Sequence, residues 1–354
     1  MLYNYTIFRK KFKLRYDIVK KDWTVITNGG VAMESMTKNR QSADVINQMV
    51  ERIFSPLKMT GYRELTEGFF NAAYEVELND GSSVILKVAP PADVRVQIYE
   101  KNIMSAEVQA MEMLLRHGGI PVPHVYGYDD SRTVCGSPYF FMEKLRGKSL
   151  NEIRYALSQE QIDDIYLETG RLVRAVNDIV CPHFGFPGQP EYQGKEWYPV
   201  FYKMMTAAIE DARQVDIELE VPPDELMNML RQDEAIFNEV TEPHLVHYDC
   251  WDGNIFVENG RITGIIDWER ALWADTLMEV EFRRFFPNLV FAKGYGLETL
   301  SESQIRRALW YDIYMMVLIA AECEYRKYRM EDVYSWAPGV LKRQFEELKK
   351  QGSL

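Results

Sequence analysis

Long apolar runs are missing from this 354-residue chain. The stretch Ile313–Ala321 is too short to cross a bilayer, and no secretory signal pattern opens the sequence, so neither a membrane protein nor a secreted one is expected. Cysteine is scarce: Cys135, Cys181, Cys250 and Cys323 are scattered without metal-ligand spacing. That excludes a zinc module or a disulfide framework, and the thiols are expected to be reduced, in a cytoplasmic protein. Positive charge is also short, with 41 Lys and Arg against 53 Asp and Glu, a net charge of −12. Nucleic acid is excluded as a partner, because its binding needs clustered cations. A cationic small-molecule partner is compatible with that balance. Internal repeats and low-complexity segments are absent. What remains is a soluble globular composition, 47% hydrophobic and 27% charged, long enough for one large bilobal domain or two ordinary ones.

The most informative stretch runs from His244 to Glu269. Three short β-branched segments, His244–Val246, Ile255–Val257 and Ile262–Ile266, read as buried strands, and Asn259-Gly260 is a type I′ hairpin signal between the last two. With Glu258 paired to Arg261, an unbroken register sets Asn254 opposite Ile265. Asp267 then falls two residues past that partner, on the same face, roughly 7–8 Å away. An amide oxygen and a carboxylate so placed suit one hard cation such as Mg²⁺. Asp249 precedes Asn254 by a short loop and adds a second carboxylate near that spot. The alternative is an Asx-rich turn, and a bulge would alter the register.

Upstream, Val45, Ile46, Met49, Val50 and Ile53 predict a helix over 43–54. Tyr74–Leu78 and Ser83–Val88 alternate as paired strands around Asn79-Asp80-Gly81, with Val84, Leu86 and Val88 on one face and Ile85 and Lys87 on the other. Helical spacing over 102–117 puts Glu107, Met111 and Leu114 on one face, so Glu107 needs a cation, and Lys87 is the candidate. The alternatives are an edge role for Lys87 and a rim position for Glu107. A long helix covers 162–179, two more fall near 197–213 and 223–238, and beyond Trp268 the chain is expected to be helical to its end. Trp310, Tyr314, Met315 and Met316 read as core. The first 32 residues are basic and fit a docking arm, a loosely attached extension, or a start placed ahead of Met33 or Met36.

His247-Tyr248-Asp249-Cys250-Trp251-Asp252-Gly253-Asn254 fits H-x-D-x-x-x-x-N, and Ile265-Ile266-Asp267-Trp268-Glu269 follows. This pair resembles the catalytic loop and metal-binding strand of the aminoglycoside phosphotransferase and choline kinase-like superfamily, small-molecule kinases with a protein-kinase-like fold. The resemblance implies an α+β bilobal architecture, with a small antiparallel β-sheet lobe over residues 43–145 and a larger, mainly helical lobe over 146–354. Residues 1–42 form an N-terminal extension, expected to be disordered.

The resemblance further implies ATP, with GTP as the alternative nucleotide, and Mg²⁺ as cofactors. It makes Asp249 the catalytic base, Asn254 and Asp267 the metal ligands, and His247 a brace. Lys87, held by Glu107, would contact the phosphates. Gly68 and Asn71 stand for the phosphate-covering turn, and Met142, Glu143 and Leu145 for the hinge that holds adenine. The acceptor is a hydroxyl of a small molecule, such as an aminoglycoside-like antibiotic, a sugar or an amino alcohol. The acids Asp252, Glu269, Asp275, Glu279 and Glu281 could receive a cationic acceptor, but most of them read as helix-surface charges or as partners of Arg270, Arg283 and Arg284. A non-catalytic nucleotide-binding protein and a protein Ser/Thr kinase are the alternatives. Against the latter, the full glycine loop and the DFG triplet are missing. Tyr248, Trp251 and Asp252 replace the usual Gly, His and Pro, and Asn177 stands where many relatives carry His.

Overall fold

The computed structural model describes Ser35, residues 37–66, 70–279, 288–297, 299–328 and 335–352. The basic segment 1–32, both candidate starts, Gly68, Glu281, Arg283 and Arg284 lie outside the described residues.

Strands β1 (Met59–Leu65), β2 (Ala72–Leu78), β3 (Ser83–Val88), β4 (Val125–Asp129) and β5 (Tyr139–Glu143) form one antiparallel sheet, ordered β1-β2-β3-β5-β4. Alternation along β3 sorts its residues as expected. Val84, Leu86 and Val88 join Ile46, Met49 and Val50 of the Ala43–Phe54 helix in one apolar core. Lys87 takes the opposite face, paired in register with Phe140 of β5. Under that face runs the Ile103–His117 helix, which stops at Gly118, φ 78°, a left-handed position that glycine adopts without strain. Glu107, Met111 and Leu114 of this helix are all fully buried.

The second lobe is mainly helical. Its longest members are Gln159–Asn177, opened by a Ser158/Gln161 capping box, Trp197–Gln214 and the 25-residue Glu302–Arg326. The last is buried nearly all round, its charged Arg306, Arg307, Asp312, Glu322 and Arg326 included, and Trp310 and Tyr314 are core residues. Gln159–Asn177 meets the Leu289–Tyr295 helix at backbone distance. A Cβ on Gly170 would lie 2.2 Å from the Phe291 carbonyl oxygen, and one on Gly294 2.0 Å from that of Leu167. Short strands complete the cleft: β6 (Lys148–Ser149) beside β8 (Ile255–Glu258) and β9 (Arg261–Ile265), and β7 (His244–Val246) beside β10 (Leu272–Ala274).

Three sequence expectations need correction. The chain beyond Trp268 is not helical throughout: Leu272–Ala274 pairs antiparallel with β7, which satisfies the edge of a strand that would otherwise lack one. The helix predicted over 223–238 breaks into Pro223–Gln232 and Glu234–Phe237. At the break Asp233 is buried and accepts from Arg306 Nε and Trp310 Nε1, each at 2.7 Å. The β8–β9 hairpin keeps Glu258 opposite Arg261, but a bulge between Phe256 and Val257 shifts the register so that Ile255 faces Ile265. Asn254 therefore bonds across to Ile266, whose amide reaches its carbonyl at 2.9 Å. Asp267 lies one residue past that partner, not two.

Two stability predictions follow from the buried carboxylates. Asp233→Ala leaves the Arg306 guanidinium buried without its counter-charge, and chemical denaturation should show a loss of about 3–5 kcal/mol. A midpoint unchanged from the parent would mean that the pair contributes nothing. Asp211 is pushed up to about 6 by burial, against the opposing Ile98 amide and Tyr325 hydroxyl. A carboxyl raised in the folded state stabilises at low pH, and that contribution is lost as pH rises from its ordinary 3.8 through about 6. Asp211→Asn should thus unfold at a higher temperature than the parent near pH 8, with the gap closing toward about pH 4. A gap that is constant with pH would show that the charge is not its source.

Candidate active site

Four titratable groups meet where the two lobes face each other. Lys87 Nζ lies 2.5 Å from Glu107 Oε1 and 2.8 Å from Asp267 Oδ1. Carboxylate oxygens of Glu107, Asp267 and Glu269 all fall within 4.8 Å of one another. Burial alone would discharge Lys87, but Asp267 and Glu107 hold its pKa well above the ordinary lysine range. Asp267 is half-buried, and against the desolvation this brings, the Lys87 charge and hydrogen bond keep it below the usual carboxylate value. Desolvation, reinforced by the Asp267 charge, pushes Glu269 up to about 8. The cluster thus holds one permanent cation and one permanent anion in contact, with two further carboxyls poised to lose or keep a proton.

The loop that carries Asp249 is held by its neighbours. Burial lowers His247 to about 4, so its ring is neutral. Its Nδ1 then accepts from the Asp249 amide at 3.2 Å, and Nε2–H donates to the Ile266 carbonyl at 3.0 Å. One imidazole thereby fixes the residue before Asp267 against the amide of Asp249. Asn254 Nδ2 donates to the Asp249 carbonyl at 2.8 Å, which leaves Asn254 Oδ1 for another partner. Two non-glycine residues here take left-handed backbone, Tyr248 at φ 66° and Asp267 at φ 64°. Each costs on the order of 1–2 kcal/mol. The first explains why glycine suits the middle position of the H-x-D triplet.

The remaining candidates are placed as follows. Asn71 donates to Glu269 Oε2 at 3.0 Å, and its buried Oδ1 has no hydrogen-bond partner. Met142 and Glu143 end β5, and the Glu143 amide is committed to the His124 carbonyl at 2.8 Å. Leu145 packs on β9 so closely that a Cβ on Gly264 would lie 2.4 Å from its Cδ1. A cavity of about 660 Å³ opens between Glu143, Leu145 and Arg146 and the β8–β9 hairpin. None of these lining residues belongs to the Lys87 cluster.

Sequence reasoning offered the acids near the site to a cation, or to Arg270, Arg283 and Arg284. Among the described residues, three of these acids are engaged within the protein. Asp252 is bound by Arg154 at 2.5 Å and by the Tyr166 hydroxyl at 2.8 Å. Asp275 is bound by Arg307 at 3.0 Å. Arg270 instead pairs with Glu322 at 2.9 Å. Glu279 accepts from the His247 and Tyr248 amides at 2.8 and 3.3 Å and from Asn177 at 3.1 Å. Glu279 thus braces the catalytic loop from below, and Asn177 links it to the Tyr295 hydroxyl. Neither role has a local sequence signal, since both depend on contacts across 30 residues or more.

The donor set suits a hard cation. It consists of carboxylate oxygens and an amide oxygen, and the His247 nitrogens beside it are already used.

The family model described as the phosphotransferase enzyme family matches residues 61–280. Among solved structures, the aminoglycoside phosphotransferase APH(4)-Ia superposes with a TM-score of 0.58 at 17% identity, over 88% of this chain and 100% of that one. The GDP and kanamycin complex of APH(2")-IIia gives 0.58 at 16%, over 85% and 98%. A hygromycin-B 4-O-kinase of Escherichia coli is 49% identical over 37 residues, 10% of this chain and 11% of that protein. A probable acyl-CoA dehydrogenase IBR3 of Arabidopsis thaliana is 22% identical over 61% of this chain. The match spans only 26% of the length of that plant protein. No helix among the described residues is long and apolar enough to cross a membrane. With a five-stranded sheet over a helical lobe and a family match across most of both, the chain belongs to the phosphotransferase enzyme family and has its bilobal, kinase-like α+β fold.

Proposed function

We propose that this chain transfers the γ-phosphate of ATP to a hydroxyl group of a small molecule, with Asp249 as the base and Mg²⁺ held by Asn254 and Asp267. The observation that carries the reading is the buried Lys87 cation held between Glu107 and Asp267, with His247 linking that carboxylate's strand to the Asp249 amide. Bound there, Mg²⁺ would supply charge neutralisation for the transferring phosphoryl group. Lys87 would turn from Asp267 toward the phosphate oxygens while Glu107 keeps it in place. Asn254, its amide nitrogen fixed on the Asp249 carbonyl, would offer its oxygen to the metal and at the same time orient the base. Asp249 would align the acceptor hydroxyl and take its proton as the new bond forms. Asn71 would lie over the phosphates and the Met142–Leu145 segment along the base.

The acceptor is read as a hydroxylated compound. The acids near the site give little support to a polycation, because Asp252, Asp275 and Glu279 already serve Arg154, Arg307 and the loop amides. A neutral sugar or amino alcohol suits that arrangement as well as an aminoglycoside does.

ADP release measured with ATP, Mg²⁺ and a panel of aminoglycosides, sugars and amino alcohols tests the reading. One compound class should stimulate turnover, and Asp249→Ala should lower kcat by about 10²–10⁴-fold with its melting temperature unchanged. Asp267→Ala should abolish Mg²⁺-dependent tightening of nucleotide binding. Equal turnover in the parent and Asp249→Ala would remove Asp249 from the reaction, and unfolding of either variant would make these carboxylates structural.

A further inference from the structure

Outside the cluster just described, the densest set of buried charges surrounds Arg326, the last residue of the Glu302–Arg326 helix, only 3% exposed. Its Nε lies 2.8 Å from Glu100 Oε1, Nη1 3.1 Å from Glu322 Oε1, and Nη2 3.2 Å from the Tyr99 hydroxyl. Two further contacts are not needed to neutralise those partners. The guanidinium sits 4.6 Å from the centroid of the Phe70 ring. Its Nη2 is also 3.8 Å from Glu269 Oε1, while the other oxygen of that carboxyl, Oε2, accepts from Asn71 at 3.0 Å. Phe70 and Asn71 are consecutive residues leading into β2. One is held by Arg326 directly, the other through Glu269.

The helix end is itself anchored. Ser35 Oγ donates to the Arg326 carbonyl at 2.5 Å, and Arg270 holds Glu322 at 2.9 Å. The guanidinium is therefore a fixed point, set by the second lobe and presented to the first. A planar guanidinium suits this post because it can stack on a ring and form in-plane hydrogen bonds at once, which a lysine ammonium cannot.

We propose that Arg326 is a positioning residue for Phe70 and Asn71. By gripping Phe70 and, through Glu269, Asn71, it sets the entry to β2 where Asn71 would cover the nucleotide phosphates. The inference rests on the function proposed above for its consequence in catalysis, and its structural part stands without it. Nothing in the motif that defines the site points to residue 326.

Hydrogen exchange of the nucleotide-free protein and steady-state kinetics test it together. Arg326→Met keeps the reach and removes the charge. It should speed exchange at the Phe70–Ala73 amides by about tenfold or more, the scale of one lost charge-assisted contact. The KM for ATP should rise by a similar factor while kcat changes by less than about threefold. Arg326→Lys should recover little, and adding Asn71→Ala to Arg326→Met should cost less than the sum of the two. If Arg326→Met does not fold, Phe70→Leu leaves the ion network whole and should still speed exchange at Asn71 and raise the KM for ATP. Unaltered exchange at these amides in folded Arg326→Met, or strictly additive effects with Asn71→Ala, would reduce Arg326 to a counter-charge for Glu100 and Glu322. A parent protein that hydrolyses and transfers nothing would overturn the proposed function alone, because the exchange result needs no nucleotide.

Discussion

A lysine ammonium taken out of water is the constraint around which this protein is arranged. The desolvation of each buried ion costs several kcal/mol, and only close opposite charge with good geometry offsets it. Lys87 meets that demand with two carboxylates from separate elements, Glu107 on a helix of the sheet lobe and Asp267 at the end of β9. Both contacts require exact placement elsewhere. The alternation of β3 must send Lys87 inward, the register of the Ile103–His117 helix must bury Glu107, and Asp267 must accept a left-handed backbone. The ion triad therefore records, in one place, that sheet, helix and hairpin have each formed correctly.

Much of this was legible from local pattern. Period-two alternation placed Lys87 opposite Val84, Leu86 and Val88, and helical spacing placed Glu107 on the buried side. Asn259-Gly260 fixed the hairpin turn. The H-x-D-x-x-x-x-N spacing located the loop that brings Asn254 onto Asp249. What escaped was decided by partners distant in sequence. The bulge between Phe256 and Val257 moves the register by one residue, with Thr263 as the extra residue of β9, and Gly264 beside it was the one local sign of it. Strand β10 exists because β7 needs a neighbour, and the helix break at Asp233 exists because Arg306 and Trp310 converge on one carboxylate. The commitments of Asp252, Asp275 and Glu279 belong to the same class. Composition marks such acids as available; only the tertiary contacts show that they are engaged.

The catalytic loop also shows how stability is given up locally and restored nearby. Tyr248 occupies a backbone region that disfavours a side chain, yet it is buried, and its amide is bound by Glu279. The His247 ring packs against Trp268, centroids 4.3 Å apart and planes tilted by 52°, while both of its nitrogens are engaged. A strained segment surrounded in this way has one geometry open to it. The bracing comes from the second lobe, so the loop moves with that lobe as a unit.

The helix that ends at Arg326 carries a consequence for how the protein comes into being. Chains leave the ribosome from the N-terminus at about 5–20 residues per second. The five-stranded sheet is complete once Glu143 has emerged, and Asp267 follows more than a hundred residues later. Yet Phe70 and Asn71 find their fixed support only when residue 326 arrives. The first lobe to be made thus waits from residue 143 to residue 326 with its turn unanchored, its Lys87 paired to Glu107 but not to Asp267 until that residue has emerged. A nascent chain of this design stays incomplete at its cleft until the Glu302–Arg326 helix has been made, which ties the competence of the first lobe to the folding of the second.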